Sequence, residues 1–341
     1  MKKAAISLLT LLVLLNIIYW LGPTPEYARV DASIAALDVP LFQLDSVIAD
    51  AERKFSNIKP ENESRIIWAD SVRKTPYAMV YLHGFSAGVM ESDPVHVRLA
   101  KKYGCNLYLA RLSQHGLSGT ESFKDLTPAS LVNTAKEAVA IGQLIGEKVI
   151  LVSCSTGGTL SIYLTANNPD LVAAQILYSP NTAIDDPTAK LLNMPWGAQL
   201  TKSVVGPYKE GAAKWYGTKV ETYWTLKYRS EALMALQDLL DQTMQDEVFR
   251  KISSPYFIGY YYKNEEESDH VISIPALLDF DSKTSTPKDQ KKVIAFADVG
   301  NHVMASDLQS KDVESVIDET SVFLEEVLML QPIVEDSLYA E

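Results

Sequence analysis

Short apolar runs separated by segments of helical length constrain this chain more than any other feature. Tyr77 to Leu82, Cys105 to Leu112, Lys148 to Cys154, Ala173 to Tyr178, Pro255 to Tyr262 and Lys292 to Ala297 each have strand length and the apolar content of a strand covered on both faces. Ser64 to Ala69 reads as a further strand. Helical spacing fills the gaps at Val97 to Tyr103, at Pro128 to Ile145 with proline in its first turn, and at Thr156 to Asn167. Ser310 to Leu330 makes a closing amphipathic helix. Strands alternating with helices predict an α/β fold with a mostly parallel sheet and helices on both faces, and ligand sites in such sheets open at the carboxyl ends of strands.

One strand end stands out. Val149 to Gly158 reads VILVSCSTGG, an apolar run that stops in small residues. A strand that turns sharply into a helix holds one side chain up on the bend, and small residues two positions to either side prevent collision there. Ser155 has Ser153 and Gly157 in those places, with Gly158 behind. Reading Cys154 as the raised residue would put β-branched Val152 and Thr156 in the crowded positions, so Ser155 is the candidate nucleophile. A Ser/Gly-rich connection without chemistry is the competing reading.

Serine needs a base, and the base needs an orienting acid. His302, one of five histidines, lies between the last strand and the last helix, where an imidazole can swing over the strand ends. His115 is a rival base that precedes the nucleophile in the chain. The loop after Pro255 to Tyr262 offers Glu265, Glu266, Glu267 and Asp269 as acids. Asp269 is preferred because apolar Val271 and Ile272 follow at once and return the chain to the core, and the three glutamates remain alternatives. Oxyanion donors are expected from the backbone N–H of Thr156, which opens the helix after the serine, and from Phe85 or its neighbour after the Tyr77 to Leu82 strand. His83 is expected to be structural.

Composition excludes other classes. Hydrophobic residues make up 47% of the chain and charged residues 22%, which suits a packed globular protein. A net charge of −12 without a dense basic run argues against nucleic acid as a partner. Two cysteines, Cys105 and Cys154, are too few for a disulfide framework.

The first residues, Met1 to Leu21, carry two lysines and then an apolar stretch from Ala4 to Leu21. Its 18 residues would span roughly 27 Å as a helix, more than the about 7–15 apolar residues of a signal peptide. Tyr19 and Trp20 at its far end suit a membrane interface. The expectation is a single transmembrane anchor over 1–22 with the catalytic domain on the exported side, or a secreted protein if the segment is cleaved. An N-terminal linker and helix follow over 23–62, then the two parts of the core over 63–180 and 251–331 around a lid inserted at 181–250, and an acidic tail at 332–341. The lid holds Trp196, Trp215, Trp224, Tyr208, Tyr216, Tyr223 and Tyr228, which can line an apolar substrate cavity or simply pack.

The set His83-Gly84-Phe85, His115-Gly116-Leu117-Ser118, Ser153-Cys154-Ser155-Thr156-Gly157, Asp269-His270-Val271 and Gly300-Asn301-His302 resembles the α/β-hydrolase superfamily, nearest its lipase, monoacylglycerol-lipase-like and serine-aminopeptidase-like members. The resemblance covers roughly residues 64–330. It implies an α/β-hydrolase fold in which Phe85 supplies an oxyanion amide, Ser155 attacks, Asp269 is the acid and His302 the base. Two departures from the pattern are Ser153 in place of the first elbow glycine and an acid set far beyond its strand. The expected activity is a serine esterase or lipase-like hydrolase working through an acyl-enzyme on small ester or lipid-like substrates, without cofactor or metal. A peptidase or amidase with the same triad and a catalytically silent hydrolase-fold binding protein are the alternatives.

Overall fold

The computed structural model describes residues 2–211 and 219–333. Trp215, Tyr216 and most of the acidic tail lie outside them. In chain order the helices are α1 (Lys2–Trp20), α2 (Leu44–Glu52), α3 (Val95–Lys102), α4 (Pro128–Ile145), α5 (Thr156–Asn167), α6 (Gly197–Val204), α7 (Val220–Tyr223), α8 (Glu231–Thr243), α9 (Asp246–Phe249), α10 (Ile274–Lys283) and α11 (Val313–Glu326). The strands are β1 (Arg65–Ile67), β2 (Thr75–Leu82), β3 (Asn106–Leu109), β4 (Gly146–Cys154), β5 (Ala174–Tyr178), β6 (Tyr208–Glu210), β7 (Lys227–Arg229), β8 (Tyr256–Tyr261) and β9 (Lys291–Phe296).

Seven of these strands form one sheet in the order β1-β3-β2-β4-β5-β8-β9. Only β1 runs antiparallel to its neighbour, and every other pairing in that sheet is parallel. Strand alternation divides the core in two. Val149 and Leu151 face one side with Val80 and Leu82, against Leu131 and Ala135 of α4 and Leu160 and Leu164 of α5. Ile150, Val152 and Cys154 face the other with Met79 and Tyr81, against Leu99 of α3 and Phe323 of α11. This two-residue periodicity buries both faces of β4 and makes it the central strand.

Local signals place helix α4, which leads into β4. Thr127 caps α4 by accepting from Ser130 N–H, Ser130 returns the bond to the Thr127 amide, and Pro128 opens the helix. Helix α10 carries similar signals, a Ser273 cap and Pro275 in its first turn, between the loop that holds Asp269 and β9.

The 181–250 insertion divides. Its first part holds α6, α7 and the β6–β7 ribbon, apart from the main sheet. Its second part belongs to the helical layer, since α8 buries Ala232, Ala235, Leu239 and Leu240 and packs against α4 and α5.

The N-terminal segment corrects an expectation. No helix among the described residues is long and apolar enough to cross a membrane. Helix α1 begins at Lys2 and stops at Trp20, so lysines occupy its first turn and Leu21 falls in a turn beyond it. The apolar stretch left to it spans roughly 25 Å against a hydrocarbon core of about 30 Å. Its far end is tied to the 181–250 segment instead. Trp196 Nε1 donates to the Ile18 carbonyl at 3.1 Å, and Trp196 N–H donates to Pro23 O at 2.9 Å. The transmembrane anchor expected over 1–22, and the membrane-anchored placement that rested on it, therefore do not hold.

Candidate active site

Ser155 sits between the last residue of β4 and the first of α5 with φ 50° and ψ −118°, a left-handed backbone that a non-glycine residue rarely adopts. Backbone bonds to both neighbouring segments hold it there. Its N–H donates to Tyr178 O at 3.0 Å, and its carbonyl accepts from Gly158 at 2.8 Å and Asn181 at 2.9 Å. A Cβ at position 157 would fall on the Leu82 carbonyl oxygen and within 2.9 Å of the His83 carbonyl, so α5 can approach β2 this closely only with glycine there. Ser153 meets a smaller demand. It is buried, and its hydroxyl donates to Ile176 O on β5 at 3.4 Å, so a small side chain with a partner fits where the usual pattern has glycine. Cys154 is fully buried on the opposite face, and burial first, with the Glu91 and Asp269 carboxylates adding, pushes its thiol well above the ordinary range.

The loop from Tyr262 to Asp269 accounts for the long spacing noted in the sequence. After β8 the chain leaves and returns through a bridge between Tyr262 and Ser268, closed by Lys263 N–H to Glu267 O at 2.9 Å. Asp269 N–H then bonds Tyr261 O at 3.0 Å, which brings Asp269 back to the end of the strand. Glu265, Glu266 and Glu267 occupy the exposed excursion, and Glu267 pairs with Lys263. Asp269 is 3% exposed. Its Oδ1 accepts from Val271 N–H at 2.9 Å and Ile272 N–H at 3.3 Å, and its Oδ2 lies 2.6 Å from His302 Nδ1.

His302 follows β9 on a loop that Gly300 turns at φ 69°. Its carbonyl accepts from Ser179 Oγ at 3.0 Å, one residue past the Tyr178 carbonyl that holds Ser155. That bond ties the histidine loop to the same strand end as the serine. Burial alone would lower the His302 pKa, but the Asp269 carboxylate, with a contribution from Glu91, outweighs it and holds the imidazole above its ordinary value. Burial likewise works to raise Asp269, and His302 together with the two amides brings it below the usual carboxylate range. No hydrogen bond connects Ser155 Oγ to the His302 ring among the described residues.

His115 and His83 have other tasks. His115 Nε2 accepts from Ser86 N–H at 3.0 Å while Nδ1 lies 2.8 Å from Ser113 O. His83 Nε2 accepts from Leu112 N–H at 3.1 Å, and its Nδ1 lies 2.9 Å from Gly84 O. Both are buried, which drives His83 down to about 4 and His115 well below the imidazole range. These neutral rings lock the Gly84–Ser86 loop onto the Leu112–His115 loop. In that setting neither the Phe85 nor the Thr156 amide bonds to another protein group among the described residues. Phe85 packs its ring on Phe123 and Tyr228, each at 5.3 Å, and Trp224 clusters with Ala87, Val220 and Val303. Aromatics of the 181–250 segment therefore cover the Gly84–Ser86 loop and the residue after His302, and Thr225 N–H seals the contact by donating to Ser86 O at 2.7 Å. No group of three or more His, Cys, Asp or Glu among the described residues is arranged to hold a metal.

One carboxylate at this site escapes sequence reasoning. Glu91, in the single-turn helix Val89–Ser92, is 2% exposed and accepts a short hydrogen bond from Gly84 N–H. It lies in a short mixed stretch with no apolar periodicity to mark it as buried.

The chain has the α/β-hydrolase fold. Solved structures that it resembles include one of the metagenome-derived lipolytic enzymes LipS and LipT, at 13% identity and a TM-score of 0.64 over 79% of this chain and 99% of that one. A monoacylglycerol lipase of Paleococcus ferrophilus matches at 13% identity and TM-score 0.54, covering 76% and 97%. Est1E of Butyrivibrio proteoclasticus, solved with ferulic acid bound, matches at 16% identity and TM-score 0.51, covering 78% and 95%. No family model and no curated protein matches the chain.

Proposed function

We propose that this protein is a serine hydrolase that cleaves carboxylic esters through an acyl-enzyme. The observation that carries the reading is the convergence at the carboxyl ends of the strands of a serine on a strained strand-to-helix bend and a buried imidazole–carboxylate pair at 2.6 Å. His302 takes the Ser155 proton at Nε2 as Oγ attacks the ester carbonyl. Asp269 holds the Nδ1–H tautomer and offsets the charge of the imidazolium. The Phe85 and Thr156 amides receive the oxyanion. The protonated imidazole passes its proton to the departing alcohol, and water then repeats the sequence to release the acid. The lipase and esterase identities of the structural neighbours support ester over amide substrates.

Labelling by a fluorophosphonate probe, with short and long p-nitrophenyl esters and an aminoacyl anilide offered in parallel, tests this. Wild-type protein should label and cleave esters, and Ser155→Ala should do neither. Folded wild-type protein that does not label would overturn the serine-hydrolase reading, and cleavage of the anilide alone would overturn the ester assignment.

A further inference from the structure

We propose that Glu91 is a second acid of this site, a positioning residue that anchors the Gly84 amide and sets a second negative charge against the imidazolium His302 becomes. The inference rests on the serine-hydrolase reading for its catalytic consequence, though not for its electrostatic one.

Geometry places Glu91 against Gly84, next to Ser155. A Cβ added to Gly84 would lie 2.6 Å from Glu91 Oε1, 3.0 Å from Oε2 and 3.0 Å from Ser155 Cβ, so the carboxylate and the serine flank one glycine. Oε2 accepts from Gly84 N–H and, at 3.4 Å, from Tyr81 O–H. The Gly84 amide so held immediately precedes the peptide whose N–H belongs to Phe85. The orientation of that donor therefore depends on a carboxylate seven residues further along.

The titratable groups around Glu91 come from every element packed there. Tyr81 faces it from β2 with His96 of α3 stacked on the phenol at 4.5 Å, Cys154 from β4, and His302 from the loop after β9, with Asp269 beyond. Among the described residues no lysine or arginine forms an ion pair with it. A carboxylate taken out of water without a cation is costly, and such a group persists where its charge is used. Burial raises the Glu91 pKa to about 7, and the Gly84 amide and His302 oppose that rise. The group thus changes charge in the same range as the imidazole it faces.

Glu91→Gln keeps an acceptor for the Gly84 amide and removes only the charge. In this variant the His302 imidazole, followed by proton NMR, should titrate roughly one pH unit lower than in wild type. The acid limb of ester hydrolysis should move the same way, with kcat down about tenfold and KM unchanged. Tyr81→Phe, which withdraws a donor from the carboxylate, should shift both in the same direction by less. A residue serving only to pack the loop would alter stability and leave the His302 titration in place. Unchanged titration and rate in folded Glu91→Gln protein would overturn the proposal. Wild-type protein that neither labels nor hydrolyses would instead overturn the serine-hydrolase reading, while the NMR titration still decides whether Glu91 charges the imidazole.

Discussion

Replacing Asp269 by Asn tests the site with a change of one atom, and the hydrogen-bond inventory determines its consequence. Oδ1 of Asp269 accepts from the amides of Val271 and Ile272, and Oδ2 meets His302 Nδ1. Both amide hydrogens need an acceptor, so the single oxygen of asparagine is drawn to that side and its NH2 is left facing the imidazole. Two donors then confront each other unless His302 switches to the tautomer that carries its proton on Nε2, the nitrogen that must receive the serine proton. An imidazole held in the wrong tautomer in a triad costs about 10⁴ in kcat, some 5 kcal/mol of transition-state stabilisation. Substrate contacts are untouched, so KM should stay within a few fold. Steady-state hydrolysis of a p-nitrophenyl ester measures the effect, with fluorophosphonate labelling rate as an independent reading of nucleophile activation. Glu265→Gln, Glu266→Gln and Glu267→Gln serve as controls. They stand on the exposed excursion of the same loop and should each change kcat by less than about twofold. Retention of activity within tenfold by Asp269→Asn, or a comparable loss at any of the glutamates, would refute the assignment of the acid.

Gly157→Ala should destabilise the protein by about 3 kcal/mol or more, because the new methyl meets backbone carbonyls of Leu82 and His83 that no rotamer change can move, and urea unfolding would measure it. Gly206→Ala, at φ 86° with nothing within 4 Å of the added carbon, should cost only about 1 kcal/mol for its backbone. The rate of fluorophosphonate labelling should fall as pH drops through the His302 pKa, with a midpoint above 6.5 because the carboxylates outweigh the burial of the ring. A midpoint below 6 would contradict that balance. Burial holds Glu91 near 7 against 4.5 in the unfolded chain, so between those values the folded protein binds more protons and loses stability as pH rises. Glu91→Gln should then gain on the order of 1–3 kcal/mol over wild type at pH 8 and nothing below pH 4.5, and equal differences at both pH values would show that the carboxylate is not desolvated.

Local chemistry determined much of this protein by itself. The helices at Pro128–Ile145 and Thr156–Asn167 were legible to the residue because a proline, a capping pair and a small-residue turn act within a few positions of where they stand in the chain. The parallel sheet followed from apolar runs whose periodicity leaves no face for water. A glycine at 157 was readable from the crowding of a strand-to-helix bend, and the contact with Leu82 and His83 is its tertiary cause.

Other features depend on partners far away in sequence. Asp269 looked too distant from its strand because a bridged excursion adds length without adding distance, and only the fold returns it to Tyr261 and His302. The apolar N-terminal run looked long enough to span a membrane until the helix proved to end at Trp20, with its last turn hydrogen-bonded to Trp196. The lid read as one insertion, yet α8 joins the core, since the α4 and α5 surfaces it covers lie many residues earlier in the chain. Glu91 was invisible for the same reason. A sequence states which carboxylates exist, but burial, and with it the strength of a charge against a neighbouring imidazole, arises only when separate segments close over it and exclude water.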